Sequence, residues 1–301
     1  MLSRLLHYGL ILPLSHLPFW LLYRLSDMGY YFIYYILRYR RKVVFGNLQR
    51  SFPHLDPAQI KRLAKLYYRH LCDLGVESLK IFSISIEEAI ARNRIVNPEV
   101  AGRFFDQGRS IIFSAGHYNN WELCVLASDA QLKHKSIGVY TQIRNKYFEK
   151  VMRKTRGRYG MELVTKKEIK AFHEKNRHRL TATILANDQA PSPSTKRAYR
   201  MMFLNQETDV MYGTEKFARE YDYPVVFAAI KKVRRGWYET HLQVMEEHPR
   251  NTPYGDITER MTHLIEAQIL EEPQYWLWSH KRWKKRNYAV DRAEDRSLVA
   301  P

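Results

Sequence analysis

The sequence is poor in cysteine: Cys72 and Cys124 are the only two among 301 residues, both flanked by apolar neighbours and neither at a metal-ligand spacing. That excludes a disulfide framework and a cysteine zinc site, and reads both as buried free thiols. Acidic residues are also in short supply, since 31 Asp and Glu against 49 Lys and Arg leave a formal charge of +18. Such a surplus favours anionic partners, among them phospholipid headgroups, phosphorylated glycolipids, acidic carrier proteins and nucleic acid, without choosing between them. No G-x-S-x-G elbow occurs, which disfavours triad chemistry of that kind. Internal repeats and low-complexity linkers are lacking too, so the chain reads as one folded domain behind a short N-terminal element.

That element is where the apolar residues concentrate. From Leu5 to Tyr23 there is no Lys, Arg, Asp or Glu, only the interruptions His7, Pro13, His16 and Pro18. Arg24 and Asp27 follow, then an uncharged, Tyr-rich stretch from Met28 to Leu37, then the basic cluster Arg38, Arg40, Arg41 and Lys42. The first stretch just meets the length of a bilayer span. The order hydrophobic, aromatic, basic predicts a membrane anchor with the body of the protein on the cytoplasmic face. No small-residue cleavage site follows, which favours a retained anchor helix over a removed signal peptide. The two prolines and the Arg24/Asp27 pair leave a spanning and a re-entrant anchor equally open. Residues 1–42 are therefore read as anchor and basic flank, and 43–301 as the folded domain.

Residues 56–82 carry Ile60, Leu63, Leu66, Tyr67, Leu71 and Leu74 at helical spacing, with Pro57 in the first turn. Beyond them, apolar runs at 111–115, 136–140, 181–187 and 225–230 alternate with helical patterns starting at Asn120, Asn145 and Thr214. This predicts an α/β layer fold with a mostly parallel central sheet flanked by helices. A strand over 238–244, antiparallel at an edge, and a closing helix over 257–270 complete the expectation.

Within this pattern, 111–115 leads through Gly116 to His117-Tyr118-Asn119-Asn120-Trp121-Glu122. On one helix, residues five apart are rotated by roughly 140°, so His117 and Glu122 share a site only across a break in regular structure. Gly116 permits a sharp exit, and Asn119 or Asn120 can cap a helix carrying Glu122 in its first turn. Ser114 falls within the strand, and no serine, cysteine or lysine is placed here as a covalent nucleophile. Two readings follow. A histidine with a pKa near ~6.5 is a natural general base, with a carboxylate to orient it; alternatively, Glu122 completes a capping box and His117 is a plain loop residue.

The segment His117 to Glu122 resembles the H-x4-D/E motif of glycerolipid acyltransferases, and its flanks resemble the late acyltransferases of lipid A biosynthesis. Matching blocks run in order along the chain. They are Tyr39-Arg40-Arg41-Lys42-Val43-Val44 with Asn47-Leu48 and Ser51-Phe52-Pro53, the segment from Arg144-Asn145-Lys146-Tyr147-Phe148 to Arg156-Gly157-Arg158-Tyr159-Gly160, Asn187-Asp188-Gln189, and Glu272 to Lys284. The resemblance implies transfer of a fatty acyl chain from an acyl-carrier-protein thioester, or an acyl-CoA, to a hydroxyl of a lipid A precursor. It makes His117 the base and Glu122 its partner, with no metal, no cofactor beyond the thioester co-substrate and no acyl-enzyme. The implied partners are acyl carrier protein, an anionic lipid or glycolipid acceptor and the membrane, and the implied location is the inner membrane with the catalytic domain on its cytoplasmic face.

Arg144, Arg156 and Arg158 are candidate phosphate ligands, because a guanidinium forks onto phosphate oxygens, although a solvated basic helix face is an equal reading. Asp188, closing an apolar strand, is read as ordering a basic residue or contacting the acceptor, against a plain turn into Pro191 and Pro193. The run Ala190-Pro191-Ser192-Pro193 departs from the Gly-Pro-Arg-like continuation of the family pattern, which leaves open an acceptor other than lipid A, such as a lysophospholipid or aminolipid. The interleaved aromatic and basic residues of 275–286 suit a membrane interface or glycolipid headgroup better than nucleic acid, given the apolar N-terminus, with some of the aromatics serving as core.

Overall fold

The computed structural model describes residues 1–191, 197–284 and 289–292. Ser192 and Pro193, named above, and Lys285 and Arg286 at the end of the aromatic and basic stretch 275–286 lie outside the described residues. The strands are β1 (Asn93–Ile95), β2 (Ile111–Ala115), β3 (Lys135–Tyr140), β4 (Glu162–Thr165), β5 (Thr181–Ala186), β6 (Arg197–Phe203), β7 (Gln206–Val210), β8 (Val225–Arg234), β9 (Trp237–Glu246) and β10 (Ala289–Arg292). Seven of them form one sheet in the order β1-β9-β8-β2-β5-β3-β4. Only the β8–β9 pair in it is antiparallel.

The expected α/β architecture with a mostly parallel sheet is therefore present. The antiparallel strand over 238–244 is also present, but it is not at the edge, because β1 pairs with its outer side in parallel. β1 is only Asn-Arg-Ile, too short to show a periodicity. A second sheet of β10-β6-β7 was not legible in the hydropathy. Its hairpin turns on Leu204 and Asn205, both with positive φ, as a two-residue turn requires when it follows the strand twist.

The sheet buries both faces, and β2 at its centre shows how. Ile111, Phe113 and Ala115 point into one apolar layer, while Ile112 points into the other with Phe227 and Ile265. The Pro57–Lys80 helix packs in the second layer through Ile60, Leu63, Ala64 and Tyr67, while Leu66 stays exposed. Its start is a capping box: Asp56 accepts from the Ala58 and Gln59 N–H groups at 2.7 and 2.8 Å, and Gln59 accepts from the Asp56 N–H at 2.8 Å.

The N-terminal apolar stretch forms two helical segments, 2–16 and 19–36, bent by 117°. The break sits at Leu17, extended at ψ 144, because the following Pro18 disfavours a helical conformation there. Among the described residues no single helix is long and apolar enough to cross a membrane. Tyr34 turns inward onto Tyr68 of the Pro57–Lys80 helix, and Tyr30 stacks on Tyr34. Of the exposed large apolar side chains described, all but Leu66, Met202, Val233 and Leu270 lie within residues 1–39.

Candidate active site

Strands β2 and β5 are parallel neighbours, with Ala115 opposite Ala186. Two residues past each, at the carboxyl end where α/β sheets collect polar groups, stand His117 and Asp188. His117 Nδ1 and Asp188 Oδ1 are 2.7 Å apart. The His117 side chain keeps 22% of its surface exposed and Asp188 only 1%, so the imidazole is the face shown to solvent and the carboxylate its buried support. The other oxygen, Asp188 Oδ2, accepts the indole N–H of the buried Trp276 at 2.8 Å. The carboxylate is thereby fixed at both oxygens.

Burial opposes the imidazolium of His117, but the charge and hydrogen bond of Asp188, and then the charge of Glu122, outweigh it and raise the pKa above the ordinary histidine value. Burial likewise opposes the Asp188 carboxylate, yet the His117 charge and the hydrogen bonds from His117 and Trp276 hold its pKa well below the usual range. His280 lies close enough for its pKa to respond to the charges of both residues. Burial brings that pKa down to about 4, which keeps the ring neutral, and Nε2 accepts the Ala190 N–H at 3.3 Å.

The loop between His117 and the Trp121–Gln131 helix is held on every side. Tyr118 bridges Trp276 in the backbone and donates its hydroxyl to the Glu272 carbonyl at 2.8 Å. Asn119 adopts φ 52, a left-handed turn that asparagine tolerates, and its amide donates to the Ile230 carbonyl at 2.8 Å. Asn120 is the cap of the helix, accepting from the Leu123 N–H at 3.0 Å. Glu122 thus falls one position short of a capping box, and that reading is not realised.

The amide of Asn120 donates to Glu77 Oε2 at 2.6 Å. Glu77 is fully buried on the Pro57–Lys80 helix, and it also accepts from the hydroxyls of Tyr238 at 2.8 Å and Tyr23 at 3.0 Å. Burial pushes its carboxyl above the usual range, against the pull of the Tyr238 and Asn120 hydrogen bonds.

Glu122 is engaged by Arg156, whose Nε and Nη2 donate to its two oxygens at 3.0 and 2.6 Å. The carboxylate in hydrogen-bond contact with His117 is Asp188, and Glu122 acts on the imidazole through its charge. Arg158 spends its guanidinium on the carbonyls of Ile81, Phe82 and Ile84, just past the end of the Pro57–Lys80 helix. Arg144 is exposed in the loop before the Lys146–Arg156 helix and, among the described residues, forms no ion pair. Of the C-terminal aromatics, Trp276 and Trp278 are core and Trp283 donates to Thr208 Oγ1 at 2.7 Å.

Glu77, Trp276 and His280 were not singled out by sequence reasoning. Trp276 and His280 stand in the C-terminal block, whose aromatic and basic composition points outward rather than to this site. A lone glutamate on an amphipathic helix gives no signal. Among the described residues no group of three or more His, Cys, Asp and Glu is arranged to hold a metal ion.

The family described as bacterial lipid A biosynthesis acyltransferase matches residues 3–285, nearly the whole chain. No individual curated protein matches it.

Proposed function

This chain belongs to the bacterial lipid A biosynthesis acyltransferases, and from that premise we propose that it moves a fatty acyl group from an acyl-carrier-protein thioester directly onto a hydroxyl of a lipid A precursor, with His117 as general base. The observation that carries the reading is the His117–Asp188 contact at 2.7 Å, locked by Trp276. With Nδ1–H donated to Asp188, Nε2 is the basic nitrogen, and it takes the proton of the acceptor hydroxyl as that oxygen attacks the thioester carbonyl. The carbon–sulfur bond breaks, and the imidazolium returns the proton to the departing thiolate. Asp188 fixes the tautomer and steadies the imidazolium, as the orienting carboxylate of a triad does. Glu122 adds a second negative charge, and N–H groups at the start of the Trp121–Gln131 helix suit the tetrahedral oxyanion. No acyl-enzyme forms in this scheme, and detection of a competent acyl-protein adduct would refute it.

In the same reading the bent N-terminal pair, with its exposed apolar residues, seats the enzyme on the cytoplasmic face of the inner membrane, and the excess of cations suits both the acidic carrier and a phosphorylated acceptor. Arg144, exposed and without an ion pair among the described residues, is the candidate among the three arginines for a substrate phosphate; Arg156 and Arg158 hold Glu122 and the helix end. The test is mass spectrometry of lipids from a deletion strain, complemented with wild type or His117→Ala. Loss of one secondary acyl chain from lipid A, restored only by wild type, is the expected result. The departure at Ala190-Pro191 supports a second reading, in which the acceptor is another lipid; unchanged lipid A beside a missing acylated lysophospholipid or aminolipid would establish it.

A further inference from the structure

The first helix of the chain and the Lys146–Arg156 helix enclose a cleft of about 670 Å³. Its lining holds the cations Arg4, Lys150, Lys154 and Arg158 and no carboxylate. Tyr147, Lys150 and Lys154 recur at intervals of three and four, so one helix face presents all three to the cleft. Arg158 is occupied by backbone carbonyls. Arg4, Lys150 and Lys154 form no ion pair among the described residues, in a chain where many surface cations do. The two walls are pinned together by His7 Nδ1 and the Tyr147 hydroxyl, 2.7 Å apart. A recess of about 590 Å³, lined by Met1, Arg4, Leu5 and Tyr8, adjoins the cleft and shares Arg4 and Tyr8 with it. Outside it, Leu2, Leu6 and Leu10 are exposed.

We propose that this cleft binds the phosphate headgroup of an anionic bilayer phospholipid, with an acyl chain lying along the adjoining recess. Like charges gathered in a concave, partly apolar wall repel one another until an anion joins them, and a phosphodiester meets two lysines and an arginine at once. The apolar continuation beside the cations fits an amphiphile and not free phosphate. Tyrosines and cations also sit at the depth where headgroups lie. An acidic carrier protein, by contrast, needs roughly 800 Å² of matched outer surface rather than a cleft. The proposal rests on the membrane reading above and adds to it a lipid preference and a place.

The test is sedimentation of the full-length protein with vesicles of phosphatidylcholine alone or with phosphatidylglycerol added. Wild type is compared with Lys150→Glu/Lys154→Glu and with Lys167→Glu/Lys175→Glu, a control of equal charge change at exposed positions elsewhere. The cleft variant is expected to lose affinity for the anionic vesicles by about tenfold or more, and the control by less than about threefold, with binding to neutral vesicles unchanged in both. Lys150→Gln/Lys154→Gln falls between them. Equal losses in cleft variant and control would overturn the proposal in favour of general charge. Intact vesicle binding with a raised KM for the acyl carrier, or for the acceptor, would overturn it in favour of that substrate. Failure of wild type to bind either vesicle would instead remove the membrane reading, and this proposal with it.

Discussion

His117 and Asp188 are 71 positions apart in the chain and meet at 2.7 Å because they stand at matching places beyond two neighbouring parallel strands. Glu122, five residues from His117, is turned instead onto Arg156. The two carboxylates near the histidine therefore stand in different contacts, and substitution tests whether their roles differ. His117→Ala is expected to abolish turnover. Asp188→Asn keeps the shape but loses the charge, and lowers kcat by roughly 10²–10⁴-fold. Glu122→Gln, acting through a charge held by Arg156, costs less. Steady-state rates with membrane association intact are the measurement, and a Glu122→Gln loss equal to or larger than that of Asp188→Asn would return the orienting role to Glu122.

The raised pKa of His117 sets the sign of the pH dependence. A base works when deprotonated, so kcat/KM rises with pH through the histidine's own pKa, placed above ~6.5 by Asp188 and then Glu122. Asp188→Asn removes the larger favourable influence and leaves burial in command, so the acid limb moves to lower pH while the plateau falls. A pH–rate profile of the two proteins checks it; an unmoved limb would mean that His117 is not the group being titrated.

Arg156 is held to Glu122 as a fork to a carboxylate, both side chains being largely buried. Arg156→Lys keeps the charge but not the fork, and is expected to cost about 1–3 kcal/mol and a few degrees in Tm. Arg144→Lys, at an exposed position, leaves Tm within error. Thermal melts of both variants decide whether Arg156 is structural support.

Glu77 receives three donors from three parts of the chain, Tyr23, Asn120 and Tyr238. Glu77→Leu strands all three in the interior, at about 1–3 kcal/mol each, so the protein is expected to fold poorly or not at all. Glu77→Gln keeps one acceptor oxygen and is expected to fold, with a lower kcat because a neutral amide holds Asn120, cap of the helix behind His117, less firmly than the carboxylate does. A full-rate Glu77→Gln protein would show that this bond does not position the loop.

Much of this was legible in advance. The buried strand 111–115, the break at Gly116, the helix capped by Asn120 and the alternation that builds a parallel sheet all follow from local composition. His117 drew attention in the same way, by its place between strand and helix and by its resemblance to a known motif. What could not be read is adjacency. Asp188 was recognisable as a polar residue closing a strand, but only the pairing of β2 with β5 makes it the neighbour of His117. Trp276 lies further still in sequence, in a block whose aromatics and cations resemble an interface, and it reaches Asp188 only once the chain has folded back over Tyr118. Glu122 was paired with His117 through the resemblance to the H-x4-D/E motif, and no local pattern could show that Arg156, 34 positions away, engages its carboxylate.

The N-terminal helices are joined to the rest of the molecule by more than apolar contact. Tyr23 donates to Glu77, Ser26 donates to Asp73 at 2.7 Å, Asp27 shares Arg235 with Asp73, and Arg40 donates to the Ser279 carbonyl at 3.0 Å. Trimming residues 1–42 to obtain a more tractable protein would thus take a donor from the carboxylate that holds Asn120, a donor from Asp73 and one of the two carboxylates from Arg235. It would also uncover Tyr68 where Tyr34 now packs. Removing the apolar surface of this segment would thus loosen the loop that carries His117, so point changes on the outward Leu2, Leu6 and Leu10 are the better way to reduce it.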